Sequence, residues 1–306
     1  MKSTQISESL DVIANIRKSR RSFLRQAGVL GIGATTGLML ATQNARAQSD
    51  SQMEAAQEYE QSLDTVKEIF TAALIAEDLA TVFYYNGLVG NVIQDSNLAG
   101  PGGSATNVTS SGNFGNVDYL RAALTQEIEH ANLFRSLLGI SAPSADPVQT
   151  FYFPAGTFDT LSAFTGLLNA LENAFIGAYL NAIQEFSVKS VHARQARSGV
   201  ISSSRNDPQY TAEQLDYFAK VAASIMGVEA EHRVLGRVIS DSNPANNLAY
   251  EQTDGLNAVY NGPNSAVAAL TPFLSPKTGS GYSLATALAN QSGVASTNVT
   301  GNPPAF

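Results

Sequence analysis

Four segments of the chain repeat apolar residues three or four positions apart, which is the pattern of an amphipathic α-helix. The predicted helices are A, about residues 51–88; B, about 117–139; C, about 159–197; and D, about 211–240. Two capping boxes, Ser51-x-x-Glu54 and Thr211-x-x-Gln214, predict where helices A and D begin. Gly-, Ser- and Asn-rich sequence lies between A and B, and a second irregular segment lies between B and C. The pattern therefore predicts an all-α fold built on four helices.

Each of the four apolar stripes also contains a glutamate, and two of them contain a histidine. These residues are Glu77 in helix A, Glu127 and His130 in helix B, Glu172 in helix C, and Glu229 and His232 in helix D. Residues three apart on a helix lie about 60° from each other, so both members of each Glu-x-x-His pair face inward. The intervening Glu129 and Glu231 lie about 160° away from the first Glu and are predicted not to be ligands, but either to face solvent or to support the ligands from behind. Because an uncompensated buried charge costs several kcal/mol, the inward carboxylates require a compensating partner.

The two halves of the predicted bundle repeat each other. Helices A and C share the pattern E-[DN]-x5-Y-x-N, starting at Glu77 and Glu172, and helices B and D share E-x-E-H-x2-L-x-R. The repeat predicts a pseudo-twofold bundle in which each half supplies one bridging Glu, from A or C, and one Glu-x-x-His. Arg135, at the end of the second pattern, falls off the inward face and is expected to pair with surface acids.

Tyr84 and Tyr179 lie seven residues after Glu77 and Glu172, about two turns further along the same helix face. Three roles remain open for them: a hydrogen bond to a ligand carboxylate, one-electron transfer in catalysis, or a core tyrosine whose hydroxyl bonds to a neighbour.

The inward residues suit a site for two metal ions. The four glutamates carry a charge of −4, which two divalent cations balance, and neutral imidazoles complete the ligand set without adding charge. An oxygen-rich site with one nitrogen per metal favours two iron ions, or alternatively two manganese ions, over structural zinc, which prefers Cys and His.

The first 47 residues have the layout of an export signal. Paired Arg20 and Arg21 precede a short, Gly-rich apolar run and an Ala-Arg-Ala sequence ending at Ala47, which is typical of a twin-arginine signal peptide. We therefore expect an exported protein, periplasmic or extracellular, that begins near Gln48 and has no stable membrane insertion after cleavage. The chain contains no Cys, so neither a disulfide nor a lipid-anchoring cysteine is available.

Charge excludes some partners. The whole chain has a formal charge of −8; without the seven Lys and Arg and the two acids of residues 1–47, it keeps 11 basic and 24 acidic residues, a formal charge of −13. Such a surface repels nucleic acid and anionic lipid. Residues 48–240 are predicted to form the bundle, and residues 241–306, rich in Asn, Ala, Ser and Gly, a partly ordered extension packed on it.

The order of the predicted ligands resembles the ferritin-like superfamily of di-iron carboxylate bundles, over residues 52–240. With the export signal and the Asn- and Gly-rich extension, the chain is most similar to exported ferritin-like proteins related to the desiccation-associated family. The resemblance implies a four-helix bundle with one long B–C crossover, two iron ions, O2 or peroxide as reactants, and compatibility with a homo-oligomer. A connection of about 18 residues could span about 59 Å, enough to run the length of helix B.

Departures from the family pattern leave several functions open. Gln126 and Val228 precede the Glu-x-x-His motifs, where di-iron oxygenases carry an Asp that orients the histidine. A di-iron protein that oxidises Fe(II) or removes peroxide is the leading hypothesis. The alternatives are a dimanganese catalase and an envelope or stress-protection protein whose metals only hold the bundle together.

Overall fold

Four long α-helices dominate the computed structural model, which describes residues 63–199, 207–242, 250–297 and 299. They are α1 (Val66–Val89), α2 (Phe114–Leu138), α3 (Leu161–Arg197) and α4 (Ala212–Ile239), and they correspond to the predicted helices A to D. The predicted all-α class is confirmed. No helix in this part of the chain combines the length and the apolar character that crossing a membrane requires. The predicted signal peptide, residues 1–47, lies outside the described residues.

Capping explains where the helices begin. The capping box at Thr211 is present as predicted, with the Gln214 side chain returning to the Thr211 backbone. The predicted start of helix A is wrong, because residues 63–65 are not helical and α1 begins after Thr65, which forms its own capping box with Glu68. The Ser51-x-x-Glu54 sequence lies outside the described residues.

Aromatic contacts show that the chain crosses the length of the bundle between α2 and α3. Near the start of α1, Phe70 contacts Phe134 at the end of α2, with ring centroids 5.8 Å apart. Near the end of α1, Phe83 stacks on Phe164 at the start of α3, with centroids 4.8 Å apart. The connection from residue 139 to residue 160 therefore starts at one end of α1 and finishes at the other. This is the predicted long crossover of a ferritin-like bundle.

The crossover contains a β-strand, which the sequence pattern does not predict. Strand β1 (Thr150–Phe153) pairs antiparallel with β2 (Ser280–Ser283), with Thr150 opposite Ser283. The extension that carries β2 also forms the short helices α5 (Ala266–Leu270) and α6 (Leu284–Asn290). Single 3₁₀ turns occupy Asn91–Gln94, Pro143–Ala145, Thr271–Leu274 and Gln291–Gly293. The two-stranded sheet joins the crossover to the extension.

Two further contacts hold the extension against the bundle. A Cβ atom at Gly177 would lie 2.4 Å from the Thr253 carbonyl oxygen, so glycine allows the extension to approach α3 closely. The Asp64 carboxylate accepts backbone N–H bonds from residues 259, 260 and 261 at 2.6–3.0 Å. The extension thereby places Val259 in the apolar core.

Apolar clusters occupy the two ends of the bundle and leave its middle to polar groups. On α2 the buried residue Leu124 belongs to the cluster around Phe83, whereas Ala131 belongs to the cluster around Phe70. The carboxylate and histidine positions of α2 lie between these two residues. Packing at both ends therefore fixes the helix surfaces that carry the site.

Candidate metal centre

Six predicted ligands come together in the middle of the bundle. They are Glu77 from α1, Glu127 and His130 from α2, Glu172 from α3, and Glu229 and His232 from α4. Four of them, Glu127, Glu172, Glu229 and His232, have no solvent exposure, and Glu77 has 2%. His130 is the more open member, with 14% of its side chain exposed. Glu129 and Glu231 are exposed, as the helical spacing predicted.

The ligand atoms form two groups, and within each group all of them lie within 4.8 Å of one another. The first group is Glu77, Glu127, His130 and Glu229; the second is Glu127, Glu172, Glu229 and His232. Glu127 and Glu229 therefore belong to both groups, whereas Glu77 and Glu172 belong to one each. The repeat predicts a bridging role for Glu77 and Glu172, but the shared position belongs to Glu127 and Glu229. The helical spacing alone could not show which carboxylates face both groups.

Both histidines direct the same ring nitrogen towards the carboxylates. His130 Nδ1 lies 3.2 Å from Glu77 Oε2 and 3.4 Å from Glu229 Oε1. His232 Nδ1 lies 2.9 Å from Glu127 Oε1 and 3.3 Å from Glu229 Oε2. Nδ1 is therefore the nitrogen that each histidine could offer to a metal ion.

The buried charges shift the pKa values of several of these groups. Burial raises the pKa of Glu77 and of Glu172 well above the usual range of a carboxyl group. Burial would lower the pKa of the two histidines, but Glu77 beside His130 and Glu127 beside His232 raise it well above the ordinary value. At Glu127 burial acts to raise the pKa, yet His232 and His130 hold it below normal. Without metal, protons on these groups must supply the positive charge that a cation would otherwise provide.

Hydrogen bonding shows that the residues present fit a bound cation. Among the described residues, neither side-chain oxygen of Glu127 or of Glu229 accepts a hydrogen bond of acceptable geometry, and the same holds for Glu172 Oε2. An unsatisfied buried polar group costs about 1–3 kcal/mol. The histidine nitrogens lie close to these oxygens without aligned hydrogen bonds. Such an arrangement is typical of ligands that surround a common ion rather than of donors that face acceptors.

The two predicted tyrosines hold ligand carboxylates in a crossed pattern. Tyr84 on α1 donates to Glu172 Oε1 of α3 at 2.6 Å, and Tyr179 on α3 donates to Glu77 Oε1 of α1. Burial, followed by the neighbouring carboxylates, raises the pKa of both phenols well above normal, so both remain donors. Of the three roles left open by the sequence, the geometry supports a hydrogen bond that positions a ligand.

Gln126 orients one of the two histidines. Its Oε1 atom lies 3.0 Å from Nε2 of His232, on the facing helix α4. Because an amide oxygen only accepts, this contact places the hydrogen of a neutral His232 on Nε2 and directs the Nδ1 lone pair towards the carboxylates. Gln126 departs from the orienting Asp of the family pattern, but it fills the same role for the histidine of the facing helix. Val228, its counterpart in the repeat, has no polar side chain to do so.

A buried ion network lies directly behind Glu77. Arg135 contacts Asp78 Oδ1 at 2.5 Å and Asp146 Oδ2 at 2.8 Å, and only 4% of Arg135 is exposed. The expectation that Arg135 pairs with surface acids is therefore wrong, because the crossover covers it and supplies Asp146. In the other half, buried Arg233 donates to Asn173, the residue after Glu172, at 2.8 Å. Asp78 and Asn173, which these arginines contact, share the D/N position after each repeated Glu.

Replacing Gln126 with alanine is expected to weaken metal binding at the His232 group by about 10–100-fold, the usual effect of removing a partner of a metal-ligating histidine. The first group should keep its affinity, since the Gln126 side chain hydrogen-bonds to His232, which belongs only to the second group. Titration of metal-free protein with Fe(II) or Mn(II) under anaerobic conditions measures both affinities. Val228→Ala is the matched control at the equivalent position of the repeat. Equal affinities in Gln126→Ala and wild type would contradict the orienting role.

Comparison with known proteins gives one family match. Residues 65–199 match the family model described as a ferritin-like domain, and no curated protein or solved structure matches the chain significantly. The matched segment covers α1 to α3 and includes Glu77, Glu127, His130 and Glu172; the remaining two predicted ligands follow on α4. The family match and the four-helix bundle with its long crossover connection together support placing this chain in the ferritin-like superfamily.

Proposed function

We propose that this protein is an exported ferritin-like protein that binds a dinuclear metal centre, most favourably di-iron, and performs oxidoreductase chemistry on O2, peroxide or Fe(II). The observation that carries the proposal is the pair of ligand groups joined by two shared carboxylates, Glu127 and Glu229. Export and a relation to desiccation-associated proteins rest on the signal layout and on the composition of the extension.

The ligand types favour iron or manganese. Each group contains three carboxylates and one imidazole, and the four glutamates together balance two divalent cations. Structural zinc prefers a tetrahedral set of Cys and His, and the chain contains no Cys. Among first-row metals that accept oxygen-rich sites, iron and manganese also cycle between oxidation states.

The residues of the chain would each have a defined task. A bound pair of iron or manganese ions would supply reversible electron transfer to O2 or peroxide. Tyr84 and Tyr179 each hold one oxygen of a glutamate and so fix the orientation of Glu172 and Glu77 in their groups. Complete burial keeps water from the His232 group, and the partial exposure of His130 gives polar reactants an approach to the first group.

Two alternatives share this ligand set. A dimanganese catalase would use the same carboxylates and imidazoles, and the choice of metal depends on geometry and supply. A structural role, in envelope or stress protection, would use the ions only to balance the buried charge. The shared ligands Glu127 and Glu229 are compatible with all three functions, so turnover must separate them.

The deciding experiment combines elemental analysis with turnover on one sample. Protein purified from its exported location is expected to contain about two iron ions per chain, or about two manganese ions. Consumption of O2 in the presence of Fe(II), and decay of peroxide, are then measured on that sample. Peroxide decay with manganese would favour the catalase, and metal without any turnover would favour the structural role. Absence of metal, even after reconstitution, would overturn the proposal.

A further inference from the structure

An apolar cavity adjoins the candidate metal centre at Tyr179. It has a volume of about 30 Å³ and lies between α1, α3 and α4, and its wall includes Ala76, Tyr179 and Val259. Ala76 precedes Glu77 in the chain, and the Tyr179 hydroxyl donates to Glu77. A molecule in the cavity would therefore be separated from the first ligand group by one layer of side chains.

The cavity exists because small residues line two facing helices. Those on α1 are Ala72, Ala73 and Ala76, and those on α3 are Ala174, Ala178 and Ala182. Phe70, Phe134 and Phe218 contribute rings to the wall, and Leu270 of the extension also lines it. Empty cavities in proteins are typically apolar and remain dry, since a buried water needs two to four polar partners.

The size and polarity of the cavity restrict its occupant. A buried water needs a volume of only about one probe sphere, roughly 10–15 Å³, so a molecule as small as dioxygen fits in the cavity. Peroxide is of similar size, but its two hydroxyl groups would lose their hydrogen bonds to water without replacement. Dioxygen has no such groups to desolvate.

We propose that this cavity binds dioxygen and supplies it to the first ligand group past Tyr179. The proposal rests on the proposed metal function and deepens it, because it selects O2 over peroxide as the oxidant that has a built binding site. Val259 and Leu270 make the extension part of that site, which gives this segment a task in addition to covering the bundle.

The first test uses dioxygen itself and needs no metal. Metal-free protein labelled with ¹³C at alanine methyl groups is studied by NMR with and without O2 pressure. Paramagnetic relaxation is expected to increase several-fold more at Ala72 and Ala182, which line the cavity, than at Ala123 and Ala287, which do not; all four residues are at most 2% exposed to solvent. A uniform increase over all buried alanines would overturn the proposal, whether or not the protein binds metal.

The second test fills the cavity in metal-loaded protein. Ala182→Val and, independently, Ala73→Val add methyl groups to the wall, and Ala196→Val near the end of α3 is the control. Each filling variant is expected to raise the O2 concentration for half-maximal oxygen consumption several-fold, while the rate with peroxide stays unchanged. Equal slowing with O2 and with peroxide, or no change with O2 in either folded variant, would contradict delivery through the cavity. If the protein takes up no metal, the proposed function fails, and the NMR experiment alone decides whether the cavity binds O2.

Discussion

Glu127→Ala should deprive the protein of both metal ions, whereas Glu77→Ala or Glu172→Ala should deprive it of only one. The difference follows from geometry, because Glu127 contributes to both ligand groups and each of the other two contributes to one. Elemental analysis after reconstitution is expected to give about two ions per chain for wild type, about one for each single-group variant and almost none for Glu127→Ala. A chelator should lower the melting temperature of metal-loaded wild type but not that of Glu127→Ala, since a ligand that binds only the folded state stabilises it.

A matched control comes from the same helix. Glu129→Ala removes an equally charged side chain two residues away, but Glu129 is exposed. The metal content and melting temperature of this variant should therefore equal those of wild type. The opposite ranking, with both ions lost in Glu77→Ala and one retained in Glu127→Ala, would restore the bridging assignment made from the repeat. Retention of both ions in Glu127→Ala would contradict the shared role and the two-group description.

The helices and the six candidate ligands could be predicted because their signals are local. Apolar spacing reports the buried face of a helix, and a Glu or His on that face is visible without knowledge of its neighbours. The repeat strengthened this inference, since Glu77 and Glu172 occur in matching contexts. Likewise, the capping box at Thr211 is a contact between residues three apart, and it was found where predicted. The sequence contains two capping boxes before the apolar stripe of α1, at Ser51 and at Thr65, and helical periodicity does not show which of them begins this helix.

The features of the fold and of the site that could not be predicted depend on contacts between distant segments. Gln126 meets His232 106 residues later, and nothing in either local sequence states that α2 faces α4 at that level. The strands pair Thr150 with Ser283, and each is only four residues long, too short for a clear alternating pattern. Arg135 lies off the inward face of its own helix, so its burial by the crossover could not be read from helical spacing. Which carboxylates are shared is a property of the assembled bundle for the same reason.

Arg135→Met should destabilise the fold by about 3–5 kcal/mol, the cost of removing one partner from a buried ion pair. Methionine keeps much of the apolar stem of arginine. The loss of stability therefore measures the effect of leaving the carboxylates of Asp78 and Asp146 without their cation. Urea unfolding of metal-free protein at pH 8 measures the change. Arg197→Met is the control, because Arg197 and Glu213 form an ion pair with 64% and 68% of their side chains exposed. That variant should leave the free energy of unfolding nearly unchanged, because solvent screens an exposed pair.

The cost of Arg135→Met should also grow with pH. Burial raises the pKa of Asp78 to about 8 in the folded protein, and the Arg135 guanidinium opposes that rise. A carboxyl with a raised folded pKa contributes stability below its unfolded pKa, and this contribution is lost as the pH rises through the folded value. Without Arg135 the folded pKa of Asp78 rises further. The difference in the free energy of unfolding between wild type and variant should therefore widen from pH 6 to pH 9. Adding Asp78→Asn removes one unpaired buried charge and should recover part of the loss and most of this widening. If the gap were independent of pH and unaffected by Asp78→Asn, Arg135 would stabilise the bundle through packing of its stem, and the buried charges behind Glu77 would not depend on it.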